Sequence, residues 1–216
     1  MSETSDATSS DDRVALIAEL ERSRDLGFLG PMPVESHIDH AFGFADPSWP
    51  PPTAALDLGS GGGVPGLALA TLMWPNTTWV LLDAAERRCN FLREAVEKLN
   101  LSDRVTVVRD RAEVAGREST LRGAFDLVVA RSFGAPAVSA ECGAPFLRVG
   151  GHLAVSEPPV EAGSDRWPAA GLELVGLRRT TASPSARHHF AVFVQDTACP
   201  ERYPRRTGLP AKRPLF

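Results

Sequence analysis

The chain has 216 residues and a mass of 23.2 kDa, which suits one domain better than two. Its content of 43% hydrophobic and 23% charged residues is typical of a soluble globular protein. Three widely spaced cysteines give neither a disulfide framework nor a zinc-binding pattern. No apolar run approaches the roughly 20 residues of a membrane span, and the polar N-terminus is unlike a signal peptide. We therefore expect a cytoplasmic location and no membrane partner.

Charge is distributed unevenly along the chain. The net charge is −4 overall, but residues 197–216 carry +4 and residues 1–196 carry −8. A nucleic-acid-binding domain is usually basic over a whole face. Any contact with a polyanion should therefore be local.

Composition divides the chain into regions. We predict a disordered N-terminus (1–11), a helical and irregular segment (12–52), a ligand-binding domain (53–196) and a basic, Pro- and Arg-rich extended tail (197–216). Within the second region, apolar residues spaced by three or four predict helices near 14–26 and 33–43.

Short apolar strands alternate with helical patterns in the third region. Strands are predicted at 53–58, 77–83, 104–109, 125–130 and 152–156, and helices at 65–73, 84–99 and 135–147. This alternation predicts parallel strands joined by right-handed crossovers. Two further strand-like runs, 172–179 and 187–195, flank the turn-forming segment 181–186 and predict an antiparallel hairpin at the sheet edge. The predicted fold is α/β, with a mostly parallel sheet and helices on both faces.

The segment Leu56–Gly66, LDLGSGGGVPG, follows the first predicted strand and precedes a helix. Glycines there allow backbone conformations that bring a ligand close to the chain. Pro65 suits the first turn of a helix, where its missing N–H costs nothing. Such a loop is expected to bind a small ligand at the carboxyl edge of the sheet.

Two ligand classes fit the glycine spacing. The pattern Gly61-x-Gly63-x-x-Gly66 matches a dinucleotide fingerprint, which alone is a weak signal. The pattern Asp57-x-Gly59-x-Gly61-x-Gly63 matches the loop with which class I methyltransferases bind S-adenosylmethionine (SAM). A carboxylate at position 57 would repel a pyrophosphate and attract the cationic methionine portion of SAM, although Asp also suits a turn.

Further signals follow the next strands. Asp83 ends the second strand, where an acid meets ribose hydroxyls in either class of site or caps the next helix. The segment Asp110–Glu113 follows the third strand and either borders the adenine of SAM or is an ordinary charged loop. Phe146–Val155 is similar to the Gly-Gly turn before the fifth strand of class I methyltransferases, and with the terminal hairpin it favours SAM over NAD.

Several segments together resemble a narrower family. They are Leu56–Gly66, Leu82–Arg93, Arg111–Glu113, Ala130–Phe133 and Tyr203–Leu215. The Pro65-Gly66 pair and the tail pattern PRR-x-G-x-P-x-K-x-P are the most specific. Over about residues 34–216 the chain resembles the ribosomal RNA small-subunit methyltransferase G family. The resemblance implies a class I fold and transfer of the SAM methyl group to guanine N7 of 16S rRNA in the small ribosomal subunit.

The resemblance also implies roles for individual residues. The implied cofactor-binding residues are Asp57, Gly59, Ser60, Gly61, Gly63, Asp83, Ala84, Arg111, Ala112, Glu113 and Arg131. Arg131 and His37 are the implied catalytic residues, and Arg87 and Arg187 are implied to bind the substrate. No metal site is expected.

The acceptor stays open because two features depart from the family pattern. The family's N-terminal Asn-Leu-Thr stretch is missing, and Ser156-Glu157-Pro158 replaces a Lys-Gly pair, which is unfavourable beside RNA phosphates. A small-molecule methyltransferase is one alternative, with His37, His40, His188 or Glu157 as its base. A non-catalytic SAM-binding module is another. Guanine N7 itself needs no base, which agrees with the absence of an Asn-Pro-Pro-aromatic motif after the fourth strand.

Overall fold

The alternating strands and helices fold into a seven-stranded mixed sheet in the order β3-β2-β1-β4-β5-β7-β6. The computed structural model describes residues 3–46, 48–158, 166–180 and 189–216. The strands are β1 (Ala54–Leu58), β2 (Thr78–Asp83), β3 (Val105–Arg109), β4 (Phe125–Ala130), β5 (Leu147–Ser156), β6 (Leu177–Arg179) and β7 (Phe190–Gln195). The first five are parallel, and β7 runs antiparallel to both β5 and β6. The predicted α/β class is confirmed.

Helices cover both faces of the sheet. They are α1 (Glu3–Asp25), α2 (Val34–Phe42), α3 (Gly66–Leu72), α4 (Glu86–Lys98), α5 (Ala112–Ala115), α6 (Pro136–Gly143), α7 (Ala169–Glu173) and α8 (Leu209–Lys212). Helices α1 to α4 pack on one face through residues such as Leu20, Ile38 and Leu92. Helices α5 to α7 and the C-terminal residues cover the other face, where Phe146 and Tyr203 are buried.

The strand order places the functional cleft. Connections from β1 and β4 leave toward opposite edges of the sheet, so the chain opens between the carboxyl ends of these neighbouring strands. Along β1, side chains alternate between the two faces. Leu56 and Leu58 belong to the α6 side, whereas Ala55 packs on the α3 side. Asp57 therefore faces α3.

Two predictions for the N-terminal half met different outcomes. The short helix near 33–43 is confirmed as α2. The first helix begins at Glu3, within the segment predicted to be disordered, rather than near residue 14. A polar segment buries little, but a helix satisfies its backbone hydrogen bonds internally and does not need an apolar face to form them.

The hairpin prediction is confirmed at the sheet edge but not in its bounds. Residues 172–176 are not extended: Leu172 lies in α7, and Gly176 has a φ of +79°, which interrupts an extended chain before β6 begins. The predicted turn 181–186 lies outside the described residues.

The C-terminal residues, expected to be extended, instead pack on the body. Arg122 donates hydrogen bonds to the carbonyls of Cys199 and Tyr203 at 2.7 and 2.9 Å, and Tyr203 is buried. Phe216 lies beside Trp167. These contacts join residues far apart in sequence, which local composition does not reveal.

Within the described residues, no helix has the length and apolar character needed to span a membrane. No group of three or more potential metal ligands occurs in that part of the chain either.

Candidate functional site

A cleft opens at the carboxyl ends of the central strands. Its larger part, the main cleft, has a volume of about 520 Å³, and a smaller recess of about 220 Å³ adjoins it. Gly59, Arg88 and Ser132 line both parts. Of the predicted site residues, Asp83, Ala84, Arg111, Ala112 and Glu113 line the main cleft, and Ser60, Gly61 and Arg131 line the recess.

The glycine loop forms the boundary between the two parts. Gly59 has a φ of +74°, and a Cβ atom there would lie 2.7 Å from the Phe133 ring. The N–H groups of Gly59 and Ser60 donate to the carbonyl of Leu82 at 2.8 and 3.0 Å, which ties the loop to β2. The backbone at Gly59 can therefore lie against a ligand without an intervening side chain.

Gly63 and Gly66 determine how closely the loop packs against α3 and the sheet. A Cβ atom at Gly63, whose φ is +94°, would lie 2.5 Å from Leu67. At Gly66 it would lie 2.5 Å from Leu81 and 2.6 Å from the Asp57 carboxylate. These two glycines let the start of α3 approach the sheet closely, and neither lines the cleft.

Asp57 lies beneath the loop rather than in the cleft. Its Oδ2 accepts a hydrogen bond from the Gly66 N–H at 2.9 Å, and its Oδ1 is buried without a hydrogen-bond partner among the described residues. Burial raises the pKa of Asp57 to about 7, against the lowering effects of the Gly66 N–H, Ser60 and Arg131. The protein's own carboxylate thus occupies the start of α3, where a dinucleotide would place its pyrophosphate.

Asp83 is one of three acidic residues that line the main cleft, together with Asp110 and Glu113. Its two oxygens accept hydrogen bonds from the N–H groups of Gly61, at 2.9 Å, and Ala85, at 2.8 Å. Helix α4 starts at Glu86 with Ala85 in the N-cap position, so the alternative role of Asp83 as the N-cap is wrong. Arg88 approaches the carboxylate at 3.7 Å. An acid held in this way at the end of β2 can accept hydrogen bonds from ribose hydroxyls.

Glu113 connects the main cleft with the C-terminal residues. Its carboxylate accepts the Gly208 N–H at 2.9 Å and lies 3.3 Å from Arg111. Burial alone would raise the pKa of Glu113, but the hydrogen bonds from Gly208 and Arg111 lower it overall. Ala211, three residues beyond Gly208, lines the cleft. Residues 111–113 therefore line the main cleft and hold the C-terminal residues in place, which distinguishes them from an ordinary charged surface loop.

Arg131 and His37, the two implied catalytic residues, are in contact. Arg131 Nη2 donates to His37 Nδ1 at 2.8 Å, and His37 Nε2 lies 3.3 Å from the Gly30 carbonyl. Burial lowers the pKa of His37, so its neutral form can accept at Nδ1 and donate at Nε2. Arg131 Nη1 is buried without a hydrogen-bond partner among the described residues. Arg131 thus lines the recess with a fixed cation, and His37 lies behind it.

The donor set fits SAM better than a dinucleotide. Asp83 offers a carboxylate for ribose, the Gly59 backbone lines both parts of the cleft, and Arg131 lines the recess. The place of a pyrophosphate is filled by Asp57.

Comparisons with known proteins identify the family of the chain. A family model described as rRNA small subunit methyltransferase G matches residues 47–156, slightly more than half of the chain. The chain belongs to this family. A Rubrobacter xylanophilus protein named ribosomal RNA small subunit methyltransferase G is 37% identical over 168 residues, which cover 74% of this chain and 64% of that protein. A protein of the same name from Thermotoga sp. is 38% identical over 166 residues, covering 74% and 71%.

A solved structure supports the class I fold. An O-methyltransferase family protein from Burkholderia thailandensis superimposes with a TM-score of 0.52 and 16% identity, covering 76% of this chain and 56% of that one. As a member of the methyltransferase G family, the chain is a methyltransferase with SAM as its cofactor.

The two residues implied to bind the substrate are Arg87 and Arg187. Arg87 is exposed and lies over the Phe28 ring, 5.8 Å from its centroid, at the edge of the recess. Arg187 lies outside the described residues. The lining residues that sequence reasoning missed are Phe28, Leu29, Arg88, Ser132, Val138, Cys142 and Ala211, among others. Ser132 follows β4 directly, so the rule that strand ends carry ligand contacts could have found it.

Proposed function

We propose that the protein transfers the methyl group of SAM to N7 of a guanine in 16S rRNA, in the context of the small ribosomal subunit. Membership of the methyltransferase G family supports an rRNA acceptor, since the curated relatives carry that name. The observation that carries the choice of acceptor atom is the composition of the recess. Its described lining contains Arg88 and Arg131 but no carboxylate and no imidazole.

A recess of this kind suits an acceptor that already has a free lone pair. Guanine N7 is an unprotonated ring nitrogen, so no group has to remove a proton before or during methyl transfer. Bound SAM would supply a methyl group on a cationic sulfur. In-line attack by N7 would form the N–C bond as the C–S bond breaks, and S-adenosylhomocysteine would leave. His37 does not supply a base to the recess, because its Nδ1 accepts the Arg131 hydrogen bond and its Nε2 faces the Gly30 carbonyl.

The chain's contribution is then binding and alignment. Asp83 would hold the ribose, the Gly59 backbone would lie along the cofactor, and Arg131 would bind a base edge or phosphate of the acceptor. Arg131 suits that role because its planar guanidinium is fixed by His37 and the residue lines the recess. Alignment of two reactants contributes up to about 7–11 kcal/mol to lowering a barrier.

Glu157 was expected to disfavour RNA binding through its negative charge. In the folded chain this carboxylate is largely buried and paired. Its side chain is 7% exposed and pairs with Arg166 at 2.5 Å, so little of its charge faces a polyanion. Burial raises the pKa of Glu157, and Arg166 opposes that rise.

A small-molecule acceptor is the second candidate. The net charge of −8 over residues 1–196 favours it, since that body offers little general attraction to RNA. His40 is a poor base for such a reaction because its Nε2 is in hydrogen-bond contact with the Ser156 hydroxyl at 3.0 Å. His188 lies outside the described residues.

The test is methyl transfer from labelled SAM to isolated small ribosomal subunits and, in parallel, to a small-molecule extract. We expect label in 16S rRNA, at a guanine that becomes susceptible to the strand cleavage specific for N7-methylated guanine. Arg131→Ala should reduce labelling while leaving the affinity for S-adenosylhomocysteine within about threefold. Label found in the small-molecule extract alone would contradict the proposal, and label in neither would favour the non-catalytic module.

A further inference from the structure

The C-terminal residues 199–213, here called the strap, are held rigidly against the body by two buried carboxylates. Glu141 is fully buried and accepts hydrogen bonds from the backbone N–H and Nε of Arg205, both at 2.8 Å, and from its Nη2 at 2.6 Å. Glu113 accepts the Gly208 N–H at 2.9 Å. Charge-assisted bonds of this kind are stronger than neutral ones, so the strap has a defined position.

Arginines of the body hold the strap from the other side. Arg122 donates to the carbonyls of Cys199, Pro200 and Tyr203 at 2.7, 3.1 and 2.9 Å. Arg117 donates to the Pro204 carbonyl. The strap backbone is therefore fixed without using the side chains of its last three cations.

Those three cations face outward beside the main cleft. Arg206, Lys212 and Arg213 are exposed, and their side chains have no hydrogen bond or ion pair with any other described residue. Lys212 directly follows Ala211, which lines the main cleft, and Arg206 precedes the Gly208 turn that binds Glu113. By contrast, the cations within the cleft lining, Arg88 and Arg111, are near the carboxylates of Asp83 and Glu113.

We infer that Arg206, Lys212 and Arg213 form a docking surface for the phosphate backbone of the RNA substrate. The inference rests on the proposed rRNA acceptor and adds where that RNA is held. The body is acidic, so attraction to a polyanion must come from a local group of cations, and its field extends only about 8–10 Å in physiological salt. A group whose backbone is fixed at the rim of the cleft meets that condition and loses little backbone freedom when RNA binds.

A polyanion fits this surface better than an acidic protein partner does. Three cations within eight residues, with a single acid (Glu201) between residues 197 and 216, match closely spaced phosphates. Between these cations Pro210 is buried and Leu209 is half-buried, which leaves Ala211 as the exposed apolar residue, whereas protein interfaces bury an apolar centre.

The test compares two triple variants with the same change in charge. In the strap variant, Arg206→Gln, Lys212→Gln and Arg213→Gln are combined. In the matched control, Arg148→Gln, Arg178→Gln and Arg179→Gln remove three exposed cations outside the cleft lining. Binding of the full-length chain to isolated 16S rRNA is measured at several salt concentrations, with S-adenosylhomocysteine affinity as the measure of folding.

Release of counterions predicts the outcome. Each phosphate contact contributes about 0.7–0.9 to the slope of log affinity against log salt, so the strap variant should lose about 2 units of slope. The control should keep the wild-type slope, and both should bind S-adenosylhomocysteine as the wild type does. If the strap triple variant does not bind S-adenosylhomocysteine, Arg206→Gln alone takes its place. The slope of log affinity against log salt should then fall by about 0.7–0.9.

Equal slopes for the strap variant and the control would overturn the inference. Weaker binding to small subunits with unchanged binding to isolated 16S rRNA would also overturn it, because the strap would then contact a ribosomal protein. These results differ from a failure of the proposed function. In that case the wild-type chain itself would neither label 16S rRNA nor bind it in a salt-dependent way.

Discussion

The main cleft and the recess lie side by side but are built in different ways. The main cleft takes its key residues from the ends of successive strands, with Asp83 after β2 and Ala112 at the start of the helix after β3. The recess combines Arg131 after β4 with Phe28 and Gly30 from the N-terminal region, and His37 of α2 supports Arg131 across 94 residues of sequence. One end of the site thus follows from local sequence pattern, whereas the other depends on long-range packing.

We infer a division of work from this difference. The main cleft would hold the nucleoside of SAM, which is the same in every methyl transfer. A carboxylate at the end of a strand, that of Asp83, is enough to bind its ribose. The recess meets the acceptor, and its Arg131 is oriented by a histidine from a separate part of the fold. Substitutions in the two parts should therefore separate cofactor binding from methyl transfer.

The largest expected effect concerns Asp57, which lies beneath both parts. Its folded-state pKa of about 7 lies above the unfolded value of 3.8, so the folded protein binds the extra proton between these values. Stability from this group is therefore greatest at low pH and falls as pH rises from about 4 to 7, by up to roughly 4 kcal/mol.

Denaturant unfolding of the wild type and Asp57→Asn across pH 4–8 tests this expectation. Asparagine does not titrate, so the free energy of unfolding of the wild type should fall relative to that of the variant up to about pH 7 and run parallel above it. Parallel curves over the whole range would show that the Asp57 carboxyl is ionised throughout.

The next largest effect is expected at the main cleft. Asp83→Ala removes the carboxylate proposed to bind ribose and leaves the Gly61 and Ala85 N–H groups without their acceptor. Hydrogen bonds to charged groups contribute about 1.5–3 kcal/mol, so S-adenosylhomocysteine should bind roughly 10–100-fold more weakly by calorimetry. Asp83→Asn, which keeps an acceptor oxygen, should lose less, and Asp196→Ala at the exposed pair with Arg178 should lose nothing. An unchanged dissociation constant for Asp83→Ala would remove Asp83 from the site.

A smaller effect is expected at the boundary between the two parts, where a matched pair of glycines is available. Gly59 and Gly27 have φ values of +74° and +75°, so an alanine at either position costs about 1–2 kcal/mol of stability. A Cβ atom at Gly59 would displace Phe133, whereas one at Gly27 has nothing within 4 Å. Gly59→Ala should weaken S-adenosylhomocysteine binding about 10-fold, and Gly27→Ala should not, although chemical denaturation should show similar destabilisation. Equal affinities for the two variants would mean that the Gly59 backbone does not face the cofactor.

The smallest effect is expected at the recess, and it should appear in turnover rather than in cofactor binding. His37→Ala leaves Arg131 Nη2 without its acceptor, and loss of one such hydrogen bond costs about 0.5–1.5 kcal/mol. Methylation assays on small ribosomal subunits should then show kcat lowered about three- to tenfold, with S-adenosylhomocysteine affinity within twofold of the wild type. His37→Asn places an acceptor oxygen near the former Nδ1 and should recover part of the rate. If alanine and asparagine behave alike, His37 serves packing and does not position Arg131.

The same contrast explains what the sequence could predict. Asp83 and the glycines of Leu56–Gly66 were identifiable because their spacing relative to β1 and β2 is a local property of the chain. The parallel pairing of the first five strands followed from the alternation of strands and helices. The contact between Arg131 and His37 could not be derived from spacing, although the family resemblance pointed to both residues.

The strap shows the same limit more clearly. Its basic, Pro-rich composition predicted an extended tail, whereas Arg205 and Gly208 bind carboxylates of Glu141 and Glu113. Each of these pairs spans more than 60 residues of sequence. The charges that make the segment appear solvated are thus in part the groups that hold it to the body, and no local pattern distinguishes Arg205 from Arg206.

The most direct test of the two-part site is a crystal structure of the complex with S-adenosylhomocysteine. We predict that the ribose hydroxyls lie within hydrogen-bond distance of the Asp83 carboxylate, and that the sulfur lies near Gly59 on the side of Arg131. A ligand bound in the opposite direction, with its sulfur toward Glu113, or a ligand bound outside the cleft, would contradict the assignment of nucleoside to the main cleft and acceptor to the recess.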